Sequence, residues 1–464
     1  MRFKNLTTVI FVAMFLGIVT GYILNISNVG SLVQKIEETE KGIKAIKADS
    51  VSYSLLNNHS DNLQSAPSFH DQIVALQKTK TDAEKEKNNT LVFYQTLTTI
   101  FLRLIKMIIA PLVLCILIVG IAKLGDLKQV GRIGGKALAW FIFASLISLF
   151  LGMLLVNVFH PGKLIHMELP AKGAETGIKA SAINAKDFIT HIFPENIFDA
   201  LAKNEILQIV IFAILFGVAL AAMGEKGKNL VNALDTASHV MLKITSYVMY
   251  VAPFAVFGAM AAAVAVLGIG VLNKFAIYIL TFYASLSLLW CILLFFAFLA
   301  VGKRVVSLLR HIRQPIILAF STSSSEAAMP KTIEELNRFG CPENITGFVL
   351  PLGYSFNLDG SMMYMTFASI SIGHIYGIDL TLQQQISMLL MLMVTSKGIA
   401  GVPRASLVVI TAMLANFGIP TEGILLFIGI DQILDMGRSA TNVVGNAVAT
   451  VVVSHWEGKL KRNH

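Results

Sequence analysis

The chain has 464 residues, of which 55% are hydrophobic and 14% are charged, and its mean hydropathy is +0.69. Soluble domains carry about a quarter charged residues, so this composition excludes an ordinary soluble domain and indicates an integral membrane protein. The net charge of +9 does not indicate nucleic-acid binding, because the basic residues cluster at the ends of apolar segments. The three cysteines, Cys115, Cys291 and Cys341, lack the spacing of a metal site or a disulfide framework.

Six apolar segments before residue 302 are candidate membrane helices, since a spanning helix needs about 20 residues. They are Leu6–Ile26, Leu97–Ala122, Ala137–Phe159, Leu207–Ala222, Ile244–Leu272 and Phe275–Val301. The first follows Arg2 and Lys4 and has no small-residue cleavage site, so it predicts a membrane helix rather than a signal peptide. Residues 28–90 are polar and nearly charge-balanced, and we expect them to form a long extracytoplasmic loop with some helix.

The pattern changes after residue 302, where short apolar runs flank the breaks STSSSEAAMPK and, at 396–406, SKGIAGVPRAS. These apolar runs are too short to span the membrane and are broken by small polar residues. The pattern therefore predicts two re-entrant hairpins. A further apolar segment, Thr346–Gly373, is interrupted by NLDGS at 357–361, and Gly423–Ser454 predicts one long helix. We therefore predict an all-α integral membrane protein with eight transmembrane helices, two re-entrant helical hairpins and inverted repeats, a form typical of transporters.

The topology follows from the basic residues. If eight helices span, five clusters fall on one side of the membrane: Arg2 and Lys4; Lys123, Lys128, Arg132 and Lys136; Lys226 and Lys228; Lys303 to Arg313; and Lys459, Lys461 and Arg462. That side is cytoplasmic by the positive-inside rule, which predicts that both termini are cytoplasmic.

A polar stripe marks the last helix. At about 100° per residue, Asp431, Asp435, Arg438, Asn442 and Asn446 fall within about 80° of arc. A structural salt bridge between Asp435 and Arg438 is one interpretation, but charges within the membrane are costly and usually functional. The planar guanidinium group of Arg438 suits a carboxylate, and the Asp435 carboxylate suits an ammonium group. The Asn442 amide can donate and accept hydrogen bonds. The stripe therefore predicts a binding site for an acidic amino acid.

Two other breaks complete this hypothesis. The serines Ser323–Ser325 stand where a broken helix has free N–H groups for a second carboxylate, although a plain linker is the alternative. In NLDGS, Asn357 and Asp359 are hard oxygen ligands suited to a small cation, and a helix break satisfied by its neighbours is the alternative.

The chain resembles the dicarboxylate/amino acid:cation symporter family, the glutamate transporter family, over nearly its whole length. The resemblance rests on FLRLIKMIIAPLV (101–113), the SSSE tip, YSFNLDGS, SKGIAGVP and DQILDMGRSATNVVGN. The sequences of these motifs are most similar to those of the bacterial proton/glutamate symporters. It implies a homotrimer in which a transport domain moves like an elevator against a fixed scaffold. The implied division is a scaffold of 1–134 (helices 1–2 and the 28–90 loop) and 190–272 (helices 4–5), with a transport domain of 135–165 (helix 3) and 273–464.

The resemblance also implies roles for residues. Arg438 binds the substrate's side-chain carboxylate, Asp435 binds its amine, and Asn442 and Ser324 hold the α-carboxylate region. The second hairpin tip forms the outer gate, where Arg404 adds a cation of unassigned role. The full expected substrate-binding set is Ser323, Ser324, Ser325, Ser361, Gly401, Val402, Pro403, Asp435, Arg438, Ser439 and Asn442.

Departures from the sodium-coupled members favour proton coupling. Leu358 replaces a sodium-coordinating methionine, and Asn446 replaces an aspartate. On helix 3, Phe141, Ala144 and Ser145 stand where those members present Tyr, Thr and Ser. The animal transporters carry their proton on a glutamate at the position that is Met365 here, so another group is needed. The coupling candidates are Glu326, Asn357, Asp359 and Asn446, with Glu326 or Asp359 as the proton carrier, although Glu326 is equally explained by pairing with a basic group.

Other function classes fit less well. A membrane enzyme needs a catalytic constellation, and His70, His160, His166 and His191 show no pairing in the sequence. The paired interrupted hairpins favour a transporter with alternating access over a channel. Sodium coupling and C4-dicarboxylate:proton symport stay open, although Asp435 favours a substrate with an amine. We expect no cofactor, a small-molecule substrate with a coupling cation, membrane lipid as surroundings, and a place in a bacterial cytoplasmic (inner) membrane.

Overall fold

The computed structural model describes residues 6–56, 67–124, 127–164, 190, 193–396, 405–428 and 430–461. Within these ranges the chain forms helices and no strand, in agreement with the predicted all-α class. Four of the described helices are long and apolar enough to cross a membrane, or five if a bent pair counts as one span, and three shorter apolar helices accompany them. These helices fit a multi-pass membrane protein, and the count of eight helices with two re-entrant hairpins stays a prediction.

The described α-helices are numbered in chain order. They are α1 (Leu6–Leu24), α2 (Gly30–Leu56), α3 (Pro67–Leu124), α4 (Leu127–Phe159), α5 (Ile197–Lys203), α6 (Ile206–Ala222), α7 (Lys228–Val248), α8 (Ala252–Val301), α9 (Val305–Thr322), α10 (Ser325–Phe339), α11 (Glu343–Phe356), α12 (Asp359–Ile375), α13 (Leu382–Thr395), α14 (Ala405–Asn416), α15 (Ile424–Ile428) and α16 (Asp431–Trp456). A π-helical turn, Asn25–Val29, joins α1 to α2.

The chain divides into two compact units. The smaller comprises Phe11–Ile100 and Pro253–Leu272, and the larger comprises Met1–Ile10, Phe101–Ala252 and Asn273–His464. The predicted division into scaffold and transport domain stays a prediction.

In the smaller unit, small residues bring the membrane helices close together. A Cβ atom on Gly17 would lie 2.6 Å from the Phe257 carbonyl oxygen, and one on Gly21 would lie 2.6 Å from that of Ala261. Such distances are too short for any side chain, so both glycines are required for this packing. The Asn25 side chain donates to the Ala265 carbonyl at 2.8 Å, which secures the end of the first span.

The connection over 28–90, predicted to contain some helix, is helical throughout its described residues. Apolar and small side chains recur at spacings of four and three, the heptad pattern of a coiled coil. They are Leu32, Ile36, Thr39, Ile43 and Ile46 in α2, and Phe69, Ile73, Leu76 and Ala83 in α3, where Lys80 takes the one charged position of the pattern. Lys80 pairs with Glu40 at 2.6 Å and Asn28 donates to Glu86 at 3.5 Å. These pairs show that α2 and the first part of α3 run antiparallel.

The larger unit contains the interrupted segments that the sequence predicted. Helices α9 and α10 pack against each other and turn at Ser323, whose φ is +50°. Helix α11 ends at Phe356 and α12 begins at Asp359, so the break lies within NLDGS as predicted. Helices α13 and α14 also contact each other, while the tip between them, residues 397–404, lies outside the described residues.

Two predicted helix boundaries are wrong. The span predicted over Ile244–Leu272 is divided, because α7 ends at Val248 and α8 begins at Ala252 with Pro253 in its first turn, where proline's missing N–H costs nothing. The helix predicted over Gly423–Ser454 is also divided into α15 and α16. Gly429, a poor helix former, stands between them in the sequence, and Asp431 in the first turn of α16 complements the positive end of that helix.

The far end of α16 is tied to α4 by charge. Arg132 and Lys136 approach the Glu457 carboxylate at 2.8 and 2.6 Å. The hydrogen bond from Arg132 lowers the pKa of Glu457 to about 2, and Lys136 adds to this effect. The contact fixes the last turn of α16. This helix carries the predicted site in its earlier turns.

Candidate functional site

Arg438 is the centre of the candidate site. Its Nε donates to the Asp435 Oδ1 at 2.6 Å, and its Nη1 lies 3.5 Å from the Asp431 Oδ1. The guanidinium lies 4.6 Å from the centre of the Tyr364 ring. The Arg438 side chain is 4% exposed and that of Asp435 is 27% exposed, so the carboxylate of Asp435 is the more accessible end of the pair.

This arrangement has two acids competing for one buried cation. Arg438 Nη1 makes no hydrogen bond within the described part of the chain, so it can still bind an incoming carboxylate. Ser439 donates to the same Asp435 oxygen at 3.2 Å. The predicted pairing of Asp435 with Arg438 is therefore present, and Asp431, which the sequence left without a clear role, joins it.

Asn442 connects α16 to the start of α12. Its Oδ1 accepts from the Gly360 and Ser361 backbone N–H groups at 2.9 and 3.3 Å, and its Nδ2 donates to the Ser361 Oγ at 3.2 Å. The amide therefore satisfies N–H groups that a helix start leaves without partners. Ser361 and Asn442, both predicted to bind substrate, are adjacent.

The serine tip lies against the start of α16. Ser324 caps α10 by accepting from the Ala327 N–H at 3.2 Å, and Gln432 donates to the Ser323 Oγ at 2.7 Å. Ser325 opens α10 and is buried. Glu326 lies in the first turn of α10 and acts electrostatically on the buried Tyr354 hydroxyl, on the α11 side of the tip.

A second polar cluster surrounds Asp359. Its carboxylate accepts from Ser148 Oγ at 3.2 Å and from Asn357 Nδ2 at 3.0 Å, and Asn357 Nδ2 also donates to Asn446 Oδ1 at 3.3 Å. Asn357, Asp359 and Asn446 are at most 1% exposed. Gly445 lies directly against the Asp359 carboxylate, where a Cβ atom would collide with it.

This cluster can hold a small cation or a proton. Asn357 Oδ1 is buried and makes no hydrogen bond to any described residue, so it is an available oxygen ligand beside a carboxylate. Amide, hydroxyl and carboxylate oxygens suit a hard cation. The described residues contain no group of three or more His, Cys, Asp or Glu side chains suited to a metal ion, and this cluster contains a single acid.

Part of the predicted site falls outside the described residues, and several contacts were missed. Gly401, Val402, Pro403 and Arg404 lie outside the described residues, so the outer gate stays a prediction. Sequence reasoning did not consider Ser148, which donates to the Asp359 carboxylate in the structure. It also missed the contacts that Tyr364, Gln432 and Gly445 make. Ser148 lies one helical turn beyond Ala144, and that spacing was the available signal.

Comparisons with known proteins show the family to which the chain is similar. Residues 6–456 match the model of the sodium:dicarboxylate symporter family. The chain is 41% identical over 372 residues, or 79% of its length and 88% of the relative's, to the proton/sodium-glutamate symport protein of Geobacillus stearothermophilus. It is 42% identical over 371 residues (78% and 85%) to the proton/glutamate-aspartate symporter of Escherichia coli strain K12. It is 38% identical over 363 residues (77% and 86%) to the C4-dicarboxylate transport protein of Bacillus subtilis strain 168.

Proposed function

The chain belongs to the sodium:dicarboxylate symporter family, and we propose that within this family it imports L-glutamate and L-aspartate together with protons. Membership makes it a multi-pass membrane transporter and a symporter, not an enzyme. The substrate, the coupling ion and the transport mechanism are the proposal. Its main support is the pair of opposite charges, the buried Arg438 and the more exposed Asp435, side by side on one helix.

The substrate proposal rests on the chemistry of that pair. Arg438 can exchange its acidic partners for the substrate's side-chain carboxylate, since a guanidinium binds carboxylates through two parallel hydrogen bonds. Asp435, once released, can pair with the substrate ammonium. Ser324, Ser361 and Asn442 provide polar groups beside this pair for the α-carboxylate.

A C4-dicarboxylate is the second candidate, because one of the relatives named above is a C4-dicarboxylate transport protein. Such a substrate has no ammonium group and would leave Asp435 facing a second negative charge. The proposal therefore favours an acidic amino acid.

The proposal of proton coupling rests on the cluster around Asp359. The cluster has a single carboxylate and two neutral amides, Asn357 and Asn446, so it carries less charge than a site built for a sodium ion with two acids. A carboxyl group buried in the membrane favours its protonated, neutral form, and Asp359, with the partly buried Glu326, is the candidate that the sequence offered; the structure adds a third buried acid, Asp431. Sodium is the alternative coupling ion, and the Geobacillus stearothermophilus relative is named for both ions.

The remaining parts of the proposal concern assembly and movement. We propose a homotrimer in a bacterial inner membrane, with both termini cytoplasmic and with a transport domain that moves as an elevator. The interrupted pairs α9–α10 and α11–α12 support alternating access, since transporters place substrate at such breaks.

Uptake into proteoliposomes tests substrate and coupling ion together. Labelled L-glutamate, L-aspartate and succinate are supplied under a pH gradient alone and under a sodium gradient alone. We expect accumulation of the two amino acids, and not of succinate, under the pH gradient. Accumulation only under the sodium gradient would refute proton coupling, and preferred uptake of succinate would refute the substrate.

A further inference from the structure

Asp431 is a buried acid to which the proposed binding scheme gives no task. Its side chain is 4% exposed. It accepts a hydrogen bond from the Tyr364 hydroxyl at 3.2 Å and lies 3.5 Å from Arg438 Nη1. Asp435, on the same helix, is the other acid facing Arg438.

The charges of this group constrain what happens when substrate binds. Asp431, Asp435 and Arg438 together carry one net negative charge. An acidic amino acid brings one more, draws Arg438 to its carboxylate and draws Asp435 to its ammonium. Asp431 then loses part of the positive charge that faces it in the empty site, and moving a cation away from a buried carboxylate is costly. A proton on Asp431 restores the original net charge, so substrate and proton binding favour each other.

Buried hydroxyl groups lead from Asp431 along α12 to its far end. Tyr278 on α8 is fully buried, and its ring lies 5.4 Å from that of Phe367 on α12, between the positions of Tyr364 and Ser371 along that helix. Tyr278 Oη and Ser371 Oγ make no hydrogen bond of normal geometry with any described residue. Buried hydroxyl groups without partners are rare in folded proteins and call for an explanation.

At the end of α12 that the charge pattern assigns to the outside, two histidines meet. The rings of His160 and His374 stack with centres 5.3 Å apart. His374 Nε2 lies 3.7 Å from Asp379 Oδ1, and Lys163 pairs with the same carboxylate at 3.0 Å. His160 is exposed whereas His374 is 6% exposed and its Nδ1 is without a hydrogen bond to the described residues. Histidine exchanges protons near neutral pH.

The positions share one face of α12. At about 100° per residue, residues 364, 371 and 374 fall within about 80° of arc. Ser369, which is also buried with a hydroxyl that bonds to no described residue, lies about 140° from Tyr364 and therefore off this face.

We propose that these groups form a proton path from outside water through His160 and His374, past Ser371, Tyr278 and Tyr364, to Asp431, which takes up the coupling proton. The proton enters from outside, binds the Asp431 carboxylate when substrate arrives, and leaves to the cytoplasm when substrate is released. Gaps between hydroxyls are bridged by rotation or by water, as in other wet polar networks. The inference rests on the proposed proton-coupled function and names its carrier and entry route.

The test compares two activities of the reconstituted full-length protein. One is glutamate uptake driven by a pH gradient, with lumenal acidification followed by a trapped pH-sensitive dye. The other is exchange of labelled for unlabelled glutamate at equal pH on both sides, which needs no net proton movement.

We expect Asp431→Asn to lower the ratio of proton-driven uptake to exchange by at least about tenfold, and Tyr278→Phe, Ser371→Ala and His374→Gln to lower it by about threefold or more. Asp431→Glu should restore acidification. The matched control, Ser369→Ala, removes a buried hydroxyl from the other face and should leave the ratio unchanged.

Different failures are distinguishable. Normal acidification with Asp431→Asn, or path variants that behave like Ser369→Ala, would overturn the path. Loss of acidification in Asp359→Asn but not in Asp431→Asn would move the carrier to Asp359. Wild-type uptake without acidification, driven by sodium alone, would refute the proposed coupling itself. If Asp431→Asn does not fold, the three path variants still decide.

Discussion

Asp435→Asn separates the amine-binding role of Asp435 from a purely structural one. The substitution keeps the size of the side chain and removes its charge. In the structure the carboxylate accepts from Arg438 Nε at 2.6 Å and is 27% exposed, so an incoming ligand can reach it. An ammonium group would lose a hydrogen bond to a charged partner, which contributes about 1.5–3 kcal/mol. The affinity for L-aspartate should therefore fall roughly 10- to 150-fold.

Succinate should respond differently. It has no ammonium group, and the substitution removes both the competing acid on Arg438 and a repulsive charge. Succinate affinity should stay the same or rise in Asp435→Asn. The opposite responses of two ligands of similar size distinguish a local change at the amine subsite from general damage.

The assay is titration calorimetry of the purified protein with both ligands. Asp199→Asn is a matched control, because Asp199 is 57% exposed and pairs with Lys203 on α5, outside the candidate site. Its affinities should equal those of the wild type. The assignment would be refuted if Asp435→Asn lowered the affinities for L-aspartate and succinate equally. It would also be refuted if the affinity for L-aspartate changed by less than threefold.

Three further predictions test the cation cluster and the end of α16. Gly445→Ala places a methyl group against the Asp359 carboxylate and should destabilise the protein by about 1–3 kcal/mol and lower proton-driven uptake; a wild-type melting temperature would contradict the tight contact. Asn446→Asp adds a second acid beside Asn357 and should make uptake respond to a sodium gradient, and uptake without any sodium response would count against the cation role. Glu457→Gln should lower stability at pH 7 by about 1 kcal/mol. Because folding lowers the pKa of Glu457 to about 2, its stabilisation is complete above the ordinary value near 4.5 and is lost as pH falls toward 2, so melting curves of variant and wild type should converge there.

Local pattern was sufficient to predict part of the site. The 3.6-residue period placed Asp435, Arg438, Asn442 and Asn446 on one face of a helix. In the structure Arg438, Asn442 and Asn446 contact α12 or the break before it, and Asp435 pairs with Arg438. The break in NLDGS was predictable because it introduces polar residues and a glycine into an apolar run. Both features depend on residues adjacent in the chain.

Contacts between distant segments were not predictable in the same way. Gln432 reaches Ser323, and Ser148 reaches Asp359, only because separate helices pack together. The stacking of His160 on His374 has the same origin, since each histidine alone is unremarkable in sequence. The division between α15 and α16 was missed because the one glycine that stands between them in the sequence barely changes the hydrophobic pattern.

The groups proposed to bind substrate and those proposed to bind the cation share one structural element, the break between α11 and α12. On one side of it, the Gly360 and Ser361 N–H groups bind Asn442, one helical turn from Arg438. On the other, Asn357 bonds both Asp359 and Asn446. A ligand that moves Ser361 or Asn442 therefore acts on the same short segment that positions the Asp359 carboxylate. Coupling of the two sites requires only that this segment have different preferred positions in the empty and loaded states. Gly360 and Gly445 allow the close packing of this segment, because each lies where a side chain would collide with α16 or with Asp359.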